Sequence, residues 1–476
     1  MSSISARPIV LYNTLGREKQ RFEPLHPPKV GIYSCGPTVY RDIHIGNFRT
    51  FLMTDWLRRM LEYNGYDVLL VRNITDVGHL QNDVEESGED KIEHEARRTG
   101  RSAYEIASYY TRRYEEDAAE LNILPPHIVP KATEHIPEMQ EMIARLIEKG
   151  LAYVTSEGNV YYDVSRFPEY GKLSGNTLEQ LRAGGHGREQ MEVADDKESP
   201  EDFALWKRGS PKRQMNWDSP WGLGFPGWHI ECSAMSVKYL GEQFDIHTGA
   251  VDLIFPHHED EIAQSQGVSG KPPVRYWVHG EFLDFGNAKM ARSKGNVVLL
   301  STLKERGIEP LALRYLLLTA HYRSKINFTD ESITAAQNGL NNLRETLAAL
   351  PADGVGATGP WSEEAQRLRD AFHEAINDNL ELPTALNLTH RALHNQLIPP
   401  AERRRLLLDF DRVLGLRLET VAPRQPRFIP EEVLALVRER EAARAARDWQ
   451  RSDALREQIK AHGFEVRDTP RGTELI

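Results

Sequence analysis

Residues 29–75 constrain the fold of this chain most, because they predict a strand, a helix and a second strand in close succession. KVGIYSCG (29–36) is predicted as a strand, HIGNFRTFLMTDWLRRMLEYNG (44–65) as a helix that ends at Gly65, and YDVLLVRNIT (66–75) as the next strand. A strand, a crossover helix and another strand form the parallel βαβ unit of a doubly wound sheet. We therefore expect an α/β, Rossmann-like domain at the start of the chain.

The following residues predict helices and then an insertion. Two helical patterns occupy 92–122 and 133–150. The segment 151–164 predicts a hairpin that turns at Glu157-Gly158, and the residues up to about 223 contain many glycines, prolines and charges without periodicity. Strand and helix patterns resume after this segment. We interpret it as an insertion between two halves of the sheet domain.

After about residue 302 the chain is almost entirely helical in pattern. The Gly-, Pro- and Ala-rich segment 351–360 predicts a turn between helices, and 421–430 predicts a linker between domains. The last segment predicts two helices followed by a short strand-like tail, FEVRDTPRGTELI (464–476).

Length and composition indicate a multidomain protein of a reducing compartment. At 476 residues the chain exceeds what one hydrophobic core supports, so three or four domains are expected. It has no run of about 18 apolar residues and no signal-peptide pattern, which predicts a cytoplasmic protein. Two cysteines do not make a disulfide scaffold. The net charge of −11 by itself favours an acidic metabolic enzyme over a nucleic-acid-binding protein.

The first motif is His44-Ile45-Gly46-Asn47, at the turn between the first predicted strand and its helix. Such a turn presents backbone N–H groups and the positive end of a helix to phosphate, Gly46 permits close approach, and His44 can donate a hydrogen bond. A histidine in this position alone is more often a cap or a surface residue. The second motif, KMARSKGN (289–296), is a small basic loop about 240 residues downstream, which by itself could be a solvated turn.

Together these motifs resemble the HIGH and KMSKS signatures of class I aminoacyl-tRNA synthetases. The resemblance implies a set of ATP-binding residues: His44, Gly46, Asn47, Lys289 and Arg292. Of these, His44, Asn47, Lys289 and Arg292 are expected to be catalytic, since charge that develops on the leaving pyrophosphate needs electrostatic stabilisation. Asn47 stands where the family usually has a second histidine, and Arg292 where it has a second lysine. An amide can still donate a hydrogen bond, and arginine keeps the charge but changes the shape of the contact.

The two cysteines and a histidine–carboxylate cluster suggest a metal site. Cys35 ends the first strand, and Cys232 lies in GWHIEC (227–232). PHHEDE (256–261) follows, where a helix would place His257 and Glu261 on one face. Two thiolates, an imidazole and a carboxylate can hold Zn²⁺. The residues alone leave open whether His257 or His258 is the ligand, and whether the cysteines are simply buried and the cluster a polar helix face.

Three longer segments closely resemble cysteinyl-tRNA synthetases: VGIYSCGPTVY (30–40), PGWHIECSAM (226–235) and FPHHEDE (255–261). The similarity runs from about residue 9 to the C-terminus. It implies one Zn²⁺ per chain, which binds the substrate thiol and is held by Cys35, Cys232, His257 and Glu261. Shape alone separates such similar amino acids as cysteine and serine by about 10–200-fold. A soft thiolate bound to zinc discriminates further, and no separate editing domain is evident.

The resemblance also assigns four residues of the substrate pocket. Thr75 and Asp252 are expected to hold the ammonium group of the amino acid, Trp228 to close on it, and His247 to contact adenine. Without the family pattern, Trp228 would be a core aromatic residue, Asp252 a turn or cap residue and Thr75 a strand end. Thr248-Gly249-Ala250 is less glycine-rich than is usual in the family.

The expected architecture is an α/β Rossmann-like catalytic domain with a parallel sheet and an insertion, followed by an all-α helical bundle and a small C-terminal module. The expected boundaries are 9–124 for the first catalytic half, 125–223 for the connective insertion, 224–278 for the second half, 279–325 for the KMSKS-like loop and stem-contact region, 326–420 for the bundle and 424–476 for an anticodon-binding module.

The implied partners are tRNA(Cys), L-cysteine and ATP with Mg²⁺, without a membrane and with the chain as a monomer. Residues 424–476 contain eleven Lys and Arg against ten Asp and Glu, so charge supports tRNA binding only weakly. The expectation depends instead on the RGTELI tail and on Trp449, which resemble the family's module.

Three other functions remain as alternatives. A cysteine:amino-sugar ligase of the mycothiol pathway shares the zinc and ATP sites but lacks a full anticodon module. A weakened paralogue that only binds RNA would account for the altered KMARSKGN loop but not for the intact zinc and substrate positions. A simple nucleotidyltransferase leaves the cysteines and the PHHEDE cluster unexplained.

Overall fold

The computed structural model describes residues 7–82, 87–177, 196–286, 288–289, 297–424, 430–469 and 472–475. The chain divides into two compact units, Met1–Ala422 and Pro423–Ile476. Within the described ranges, no helix combines the length and the apolar character needed to cross a membrane.

The strands of the described residues are, in chain order, β1 (Val10–Asn13), β2 (Glu18–Arg21), β3 (Lys29–Ser34), β4 (Asp67–Arg72), β5 (Leu80–Asn82), β6 (Ser87–Asp90), β7 (Ala152–Val154), β8 (Val160–Tyr162), β9 (Phe203–Arg208), β10 (Gly224–Pro226), β11 (Phe244–Ala250), β12 (Val274–Gly280), β13 (Leu283–Phe285), β14 (Ala288–Lys289), β15 (Ile326–Phe328), β16 (Val466–Thr469) and β17 (Gly472–Leu475).

The α-helices of the same residues are α1 (Ile45–Tyr63), α2 (Lys91–Thr99), α3 (Ala103–Glu120), α4 (Ile136–Glu148), α5 (Trp228–Leu240), α6 (Glu259–Ser269), α7 (Leu300–Glu305), α8 (Pro310–Leu318), α9 (Asp330–Ala348), α10 (Glu363–Asn377), α11 (Leu382–His394), α12 (Pro400–Leu414), α13 (Glu431–Ala445) and α14 (Trp449–Ala461).

A four-stranded sheet in the order β12–β11–β3–β4 forms the centre of the first unit. All three strand pairings are parallel, and α1 connects β3 to β4, which confirms the predicted Rossmann-like βαβ unit. Strand β4, which follows β3 in the chain, lies on one side of β3, whereas β11 and β12 lie on its other side. In open parallel sheets, ligands bind at such a switch point, outside the carboxyl ends of the strands.

A second, antiparallel sheet has the order β10–β9–β8–β7, with β7, β8 and β9 in the predicted insertion and β10 just after its predicted end at residue 223. Strands β7 and β8 pair Ala152 with Tyr162 and Val154 with Val160, which confirms the predicted hairpin. Gly158 in its turn has a φ of +91°, the left-handed conformation that favours glycine. The strand β9 extends this sheet, and its residues Phe203–Trp206 are buried.

The continuous helix predicted for 92–122 is wrong, because the structure has two helices, α2 and α3. Gly100 ends α2 with a φ of +69°, and its N–H donates to the carbonyl of Ala96. Ser102 then begins α3 with a capping box, in which its hydroxyl accepts from the N–H of Glu105 and the Glu105 carboxylate accepts from the N–H of Ser102. The glycine that ends α2 and the capping box that starts α3 interrupt the helix, although the helical periodicity continues through both.

The helices α7–α12 pack on the sheet domain through one shared hydrophobic core, consistent with the predicted helical region. Trp56 on α1 donates its indole N–H to the carbonyl of Leu414 at 3.2 Å. Beside it, the fully buried Arg314 on α8 forms a 2.6 Å ion pair with Asp55 on α1. A buried pair of this kind fixes the helices against each other, because separating the charges leaves one of them unpaired in a low-dielectric interior.

The second unit comprises α13, α14 and the antiparallel strands β16 and β17, which agrees with the predicted two helices and strand-like tail. It has a small core of its own, formed by Val433, Val437, Ile459, Phe464 and Val466. Trp449 at the start of α14 is 57% exposed, so this large aromatic ring is not part of that core.

Candidate active site and metal centre

A cavity of about 340 Å³ opens at the carboxyl edge of the central sheet. Its lining comes from the segment after β3, from the start of α1, from the first residue of α5 and from the segment after β11. The predicted site residues among its lining are Cys35, His44, Gly46, Asn47, Trp228 and Asp252. The structure therefore brings predicted residues of all three kinds, nucleotide, amino-acid and metal, to one cavity.

The nucleotide part of the cavity is the N-terminus of α1. His44 is its N-cap residue, with extended backbone, and Gly46 and Asn47 lie in the first turn. The free N–H groups and positive dipole of a helix start favour phosphate. The N–H of Ile45 donates to the carbonyl of Val298 at 2.9 Å, and His44 forms a bridge with Leu299. The chain that follows the basic loop thus runs directly beside His44.

The basic loop itself lies largely outside the described residues. Lys289 lies in β14, where its backbone pairs with Asp284, whereas Arg292 falls outside the described ranges. The strands before the loop and the segment after it both reach the cavity edge, since Leu283 lines the cavity and Val298 bonds to Ile45. The assignments of Lys289 and Arg292 to ATP remain predictions.

Two overlapping groups of possible metal ligands both include Cys35, which lines the cavity. One group is Cys35, Cys232, His257 and Glu261, and the other is Cys35, His247, His258 and Glu261. In each group the ligand atoms all lie within 4.8 Å of one another, and all of these residues are buried. The predicted set is one of the two.

The spacing in the predicted set fits a zinc ion. In a zinc site, Zn–S bonds are about 2.3 Å long, and Zn–N and Zn–O bonds are about 2.0–2.1 Å long. A tetrahedral arrangement therefore places two sulfurs about 3.8 Å apart, a sulfur and an oxygen about 3.6 Å apart, and a nitrogen and an oxygen about 3.3 Å apart. The corresponding distances are 3.9 Å from Cys35 Sγ to Cys232 Sγ, 3.7 Å from Cys35 Sγ to Glu261 Oε1 and 3.1 Å from His257 Nε2 to Glu261 Oε1.

A hydrogen-bonded chain orients His257. Its Nδ1 lies 2.8 Å from Nδ1 of His229, and His229 Nε2 lies 3.3 Å from the carboxylate of Asp260. If the Asp260 carboxylate accepts from His229, then His229 Nδ1 accepts from His257, and Nε2 of His257 keeps its lone pair for a metal. Partners of this kind fix the tautomer of a ligating histidine. His258 instead bonds through Nδ1 to His279 at 2.8 Å, and its Nε2 lies 3.3 Å from Cys35 Sγ.

The charges of these side chains show why the site can accept a cation. Burial would raise the pKa of Glu261, but the charges of His247 and His257 lower it to about 2. Burial would likewise raise the pKa of Cys232, but hydrogen bonds from Cys35 and His257 lower it to about 6. Burial would lower the pKa of His257, yet the Glu261 carboxylate raises it to about 10. The site thus holds a carboxylate and a thiolate, and a proton on His257 balances part of their charge.

Cys35 completes the set as a protonated thiol. Burial, followed by its hydrogen bond with Cys232, raises the pKa of Cys35 well above its ordinary value. A divalent cation would reverse this, because metal coordination deprotonates a thiol. The donor set of two sulfurs, one imidazole and one carboxylate is therefore suited to zinc, and loading would release protons from Cys35 and His257.

Two residues predicted for the substrate pocket, His247 and Thr75, do not line the cavity. His247 is buried, its Nε2 lies 2.8 Å from Glu261 Oε2, and its ring stacks on Trp277. This contact can orient Glu261 as a candidate metal ligand, and the assignment of His247 to adenine stays a prediction. Thr75 is also buried and donates a hydrogen bond to Glu231 at 2.9 Å.

Several residues of this region are not evident from the sequence. Glu231 is fully buried beside Cys232, and burial raises its pKa well above the ordinary value. His229, His258 and His279 surround the metal ligands, and His79 lines the cavity. The HHEDE run (257–261) contains His258, and GWHIEC (227–232) contains His229 and Glu231, but His79 and His279 lie outside these motifs.

Comparisons with known proteins agree with this site. Residues 21–338 match the family model described as the class I (C) tRNA synthetase catalytic domain, and residues 428–474 match the cysteinyl-tRNA ligase anticodon binding domain. The cysteine–tRNA ligase 1 of Burkholderia lata is 47% identical over 98% of this chain and 97% of its own length. A cysteine–tRNA ligase of Thermus thermophilus is 46% identical over 98% of both chains.

Solved structures show the same fold at low identity. Mycobacterium tuberculosis methionyl-tRNA synthetase in complex with methionyl-adenylate has a TM-score of 0.54 at 14% identity, covering 82% of this chain and 90% of that one. The Agrobacterium radiobacter K84 LeuRS in a ternary complex with tRNA and LeuAMS has a TM-score of 0.55 at 12% identity, covering 84% of this chain and 85% of that one.

The parallel sheet with its switch-point cavity, the HIGN turn and the matched catalytic-domain model define a class I aminoacyl-tRNA synthetase. Within that class, the full-length identity and the matched anticodon domain settle the family. The chain belongs to the cysteinyl-tRNA synthetases.

Proposed function

We propose that this chain activates L-cysteine with ATP to form cysteinyl-AMP and pyrophosphate, and then transfers cysteine to the 3′ end of tRNA(Cys) in the cytoplasm. The observation that carries the proposal is the spacing of Cys35, Cys232, His257 and Glu261, which suits a tetrahedral zinc ion, next to a cavity that Cys35 and the start of α1 both line. One zinc ion bound there would supply a soft Lewis acid for the substrate thiolate.

Some side chains around the cavity bind the nucleotide, and others bind the amino acid. His44 and Asn47 hold the ATP phosphates at the start of α1, and Gly46 leaves room for their approach. Asp252 lines the cavity and holds the substrate ammonium group. Thr75, which donates to Glu231 and accepts from Asn73, can offer its remaining lone pair to the same ammonium group.

Trp228 covers the amino-acid part of the cavity, because its ring stacks on the ligand His257 at 4.2 Å. An aromatic ring here excludes water from the reacting carboxylate, which strengthens the electrostatic contacts inside the cavity. Lys289 and Arg292, together with Mg²⁺, neutralise the charge that develops on the pyrophosphate.

The experiment that tests this function is charging of a tRNA(Cys) transcript with radiolabelled cysteine, in the presence of ATP, Mg²⁺ and an excess of serine. We expect label in acid-precipitable tRNA and little competition by serine, because serine supplies no thiolate. Cysteine-dependent pyrophosphate exchange without any transfer to tRNA would contradict the proposal and favour a cysteine ligase with a small-molecule acceptor.

A further inference from the structure

The ring of Trp228 is held between two imidazoles. On one face it stacks on His257, with ring centroids 4.2 Å apart and an angle of 25° between the planes. On the other face it stacks on His79, with centroids 4.3 Å apart and an angle of 12°. Trp228 and His79 both line the cavity, whereas His257 lies in the proposed metal centre. The position of the Trp228 ring thus depends on His79 as much as on His257.

Both ring nitrogens of His79 are engaged. Nδ1 lies 2.6 Å from Thr38 Oγ1, and Nε2 lies 2.8 Å from Lys91 Nζ. An ammonium group can only donate, so Nε2 accepts from Lys91 and the proton on Nδ1 is donated to Thr38. The N–H of Lys91 also donates to the carbonyl of His79 at 2.9 Å. These contacts fix the tautomer of His79 and the plane of its ring.

The backbone on either side of His79 is packed against the segment that leads into Trp228. Gly78 has a φ of +81°, and a Cβ atom there would lie 2.7 Å from the carbonyl oxygen of Pro226. The N–H of Gly78 donates to Asp90 at 2.8 Å, which closes the base of the β5–β6 hairpin. Glycine at position 78 therefore lets the backbone pack closely against Pro226, and this packing places the His79 ring next to the ring of Trp228.

We infer that His79 is a positioning residue that holds the Trp228 ring over the amino-acid pocket and thereby sets the affinity for cysteine. The inference depends on the proposed function, since it assigns Trp228 to the cysteine pocket. His79 acts through Trp228 and not on the phosphates. Its loss should change cysteine binding and leave ATP binding and metal content unchanged.

The test compares variants of His79 in the full-length, zinc-loaded protein. His79→Ala and His79→Gln both remove the ring, and glutamine keeps hydrogen-bonding groups and so favours a folded protein. His79→Phe keeps a ring that can stack. His94→Ala is the matched control, because His94 lies on the adjacent helix α2 and is exposed. Cysteine binding is measured by isothermal titration calorimetry without ATP, and KM and kcat by pyrophosphate exchange.

We expect the Ala and Gln variants to raise the Kd and the KM for cysteine about two- to tenfold, which is what a stacked aromatic pair is worth. The kcat, the KM for ATP and the zinc content should stay unchanged. The His94 variant should match wild type, and His79→Phe, which keeps a stacking ring without its hydrogen bonds, should bind cysteine more tightly than His79→Ala. Unchanged cysteine affinity in both the Ala and the Gln variant would overturn the inference. A His79→Phe variant as impaired as His79→Ala, or an equal loss of cysteine affinity in His94→Ala, would also overturn it. Wild-type protein that activates no cysteine would instead refute the proposed function.

Discussion

Replacing His257 and His258 one at a time tells the two possible metal-ligand groups apart. In His257→Asn the amide can still donate a hydrogen bond to His229 in place of Nδ1. The Nε2 atom that lies 3.1 Å from Glu261 Oε1, and that would bind the metal, is removed. In His258→Asn the amide keeps the contact to His279, and the Nε2 donor near Cys35 is removed. The two variants are matched, because both positions are buried and next to each other.

The expected magnitude follows from the four donors of the site. Structural zinc sites with four protein ligands bind with about 10–16 kcal/mol, so one ligand contributes about 2.5–4 kcal/mol. Each 1.4 kcal/mol is a factor of ten in the binding constant. His257→Asn should therefore weaken zinc binding about 10²–10³-fold. His258→Asn removes no ligand of the proposed set and should weaken it less than about tenfold.

The assay is competition for zinc between the purified, metal-free protein and a chromophoric chelator, with circular dichroism to verify that each variant is folded. The reverse ranking, with the larger loss in His258→Asn, would show that zinc is held by His247 and His258 instead. Equal and small effects would show that neither histidine is a ligand.

Three further predictions concern the loop, the second unit and the interior. Arg292→Ala should lower kcat and kcat/KM for cysteine activation together, by about 10²–10³-fold, with little change in ATP affinity. Lys294→Ala should have a much smaller effect. Single-turnover kinetics with the opposite ranking would assign the stabilisation of the pyrophosphate to Lys294. Deleting 424–476 should impair transfer to tRNA far more than pyrophosphate exchange, and equal losses would mark the unit as a folding element. The third prediction concerns acid stability, because burial would raise the pKa of Asp55 but the charge of Arg314 lowers it below its ordinary value. The stabilisation from this ion pair is present above about pH 4 and is lost as the pH falls through the folded-state pKa. Asp55→Asn should cost about 3–5 kcal/mol of unfolding free energy at pH 7 and less in acid, as measured by urea denaturation, and a loss that did not depend on pH would contradict this reasoning.

The fold and most of the cavity could be predicted from the sequence because their signals are local. The strand–helix–strand of 29–75 carries its own periodicity, and the HIGN turn must lie at the carboxyl edge of the sheet once β3 and α1 are placed. The break at Gly100 was also encoded locally, by a glycine and a capping box, but the periodicity around it concealed the signal.

The contacts that distinguish the two possible ligand groups could not be predicted, because they join segments that are distant in the sequence. The spacing in 256–261 is equally compatible with His257 and His258 as ligands, and the distinction rests on their partners His229 and His279. The 2.8 Å contact between His247 on β11 and Glu261 on α6 likewise depends on tertiary packing that no local sequence pattern shows. The stacking of His79 on Trp228 also joins distant segments, and the short, polar strands β5 and β6 that follow His79 carry no strand signal.

The central claim is that a zinc ion at Cys35, Cys232, His257 and Glu261 selects and binds the substrate cysteine. The most direct measurement is cysteine-dependent ATP–pyrophosphate exchange by the protein as purified, after removal of metal by a chelator, and after addition of one equivalent of zinc. We expect about one zinc per chain at the start, loss of exchange with the metal, recovery with zinc, and very little exchange with serine in any state. Full cysteine-dependent exchange by protein without stoichiometric metal would contradict the claim.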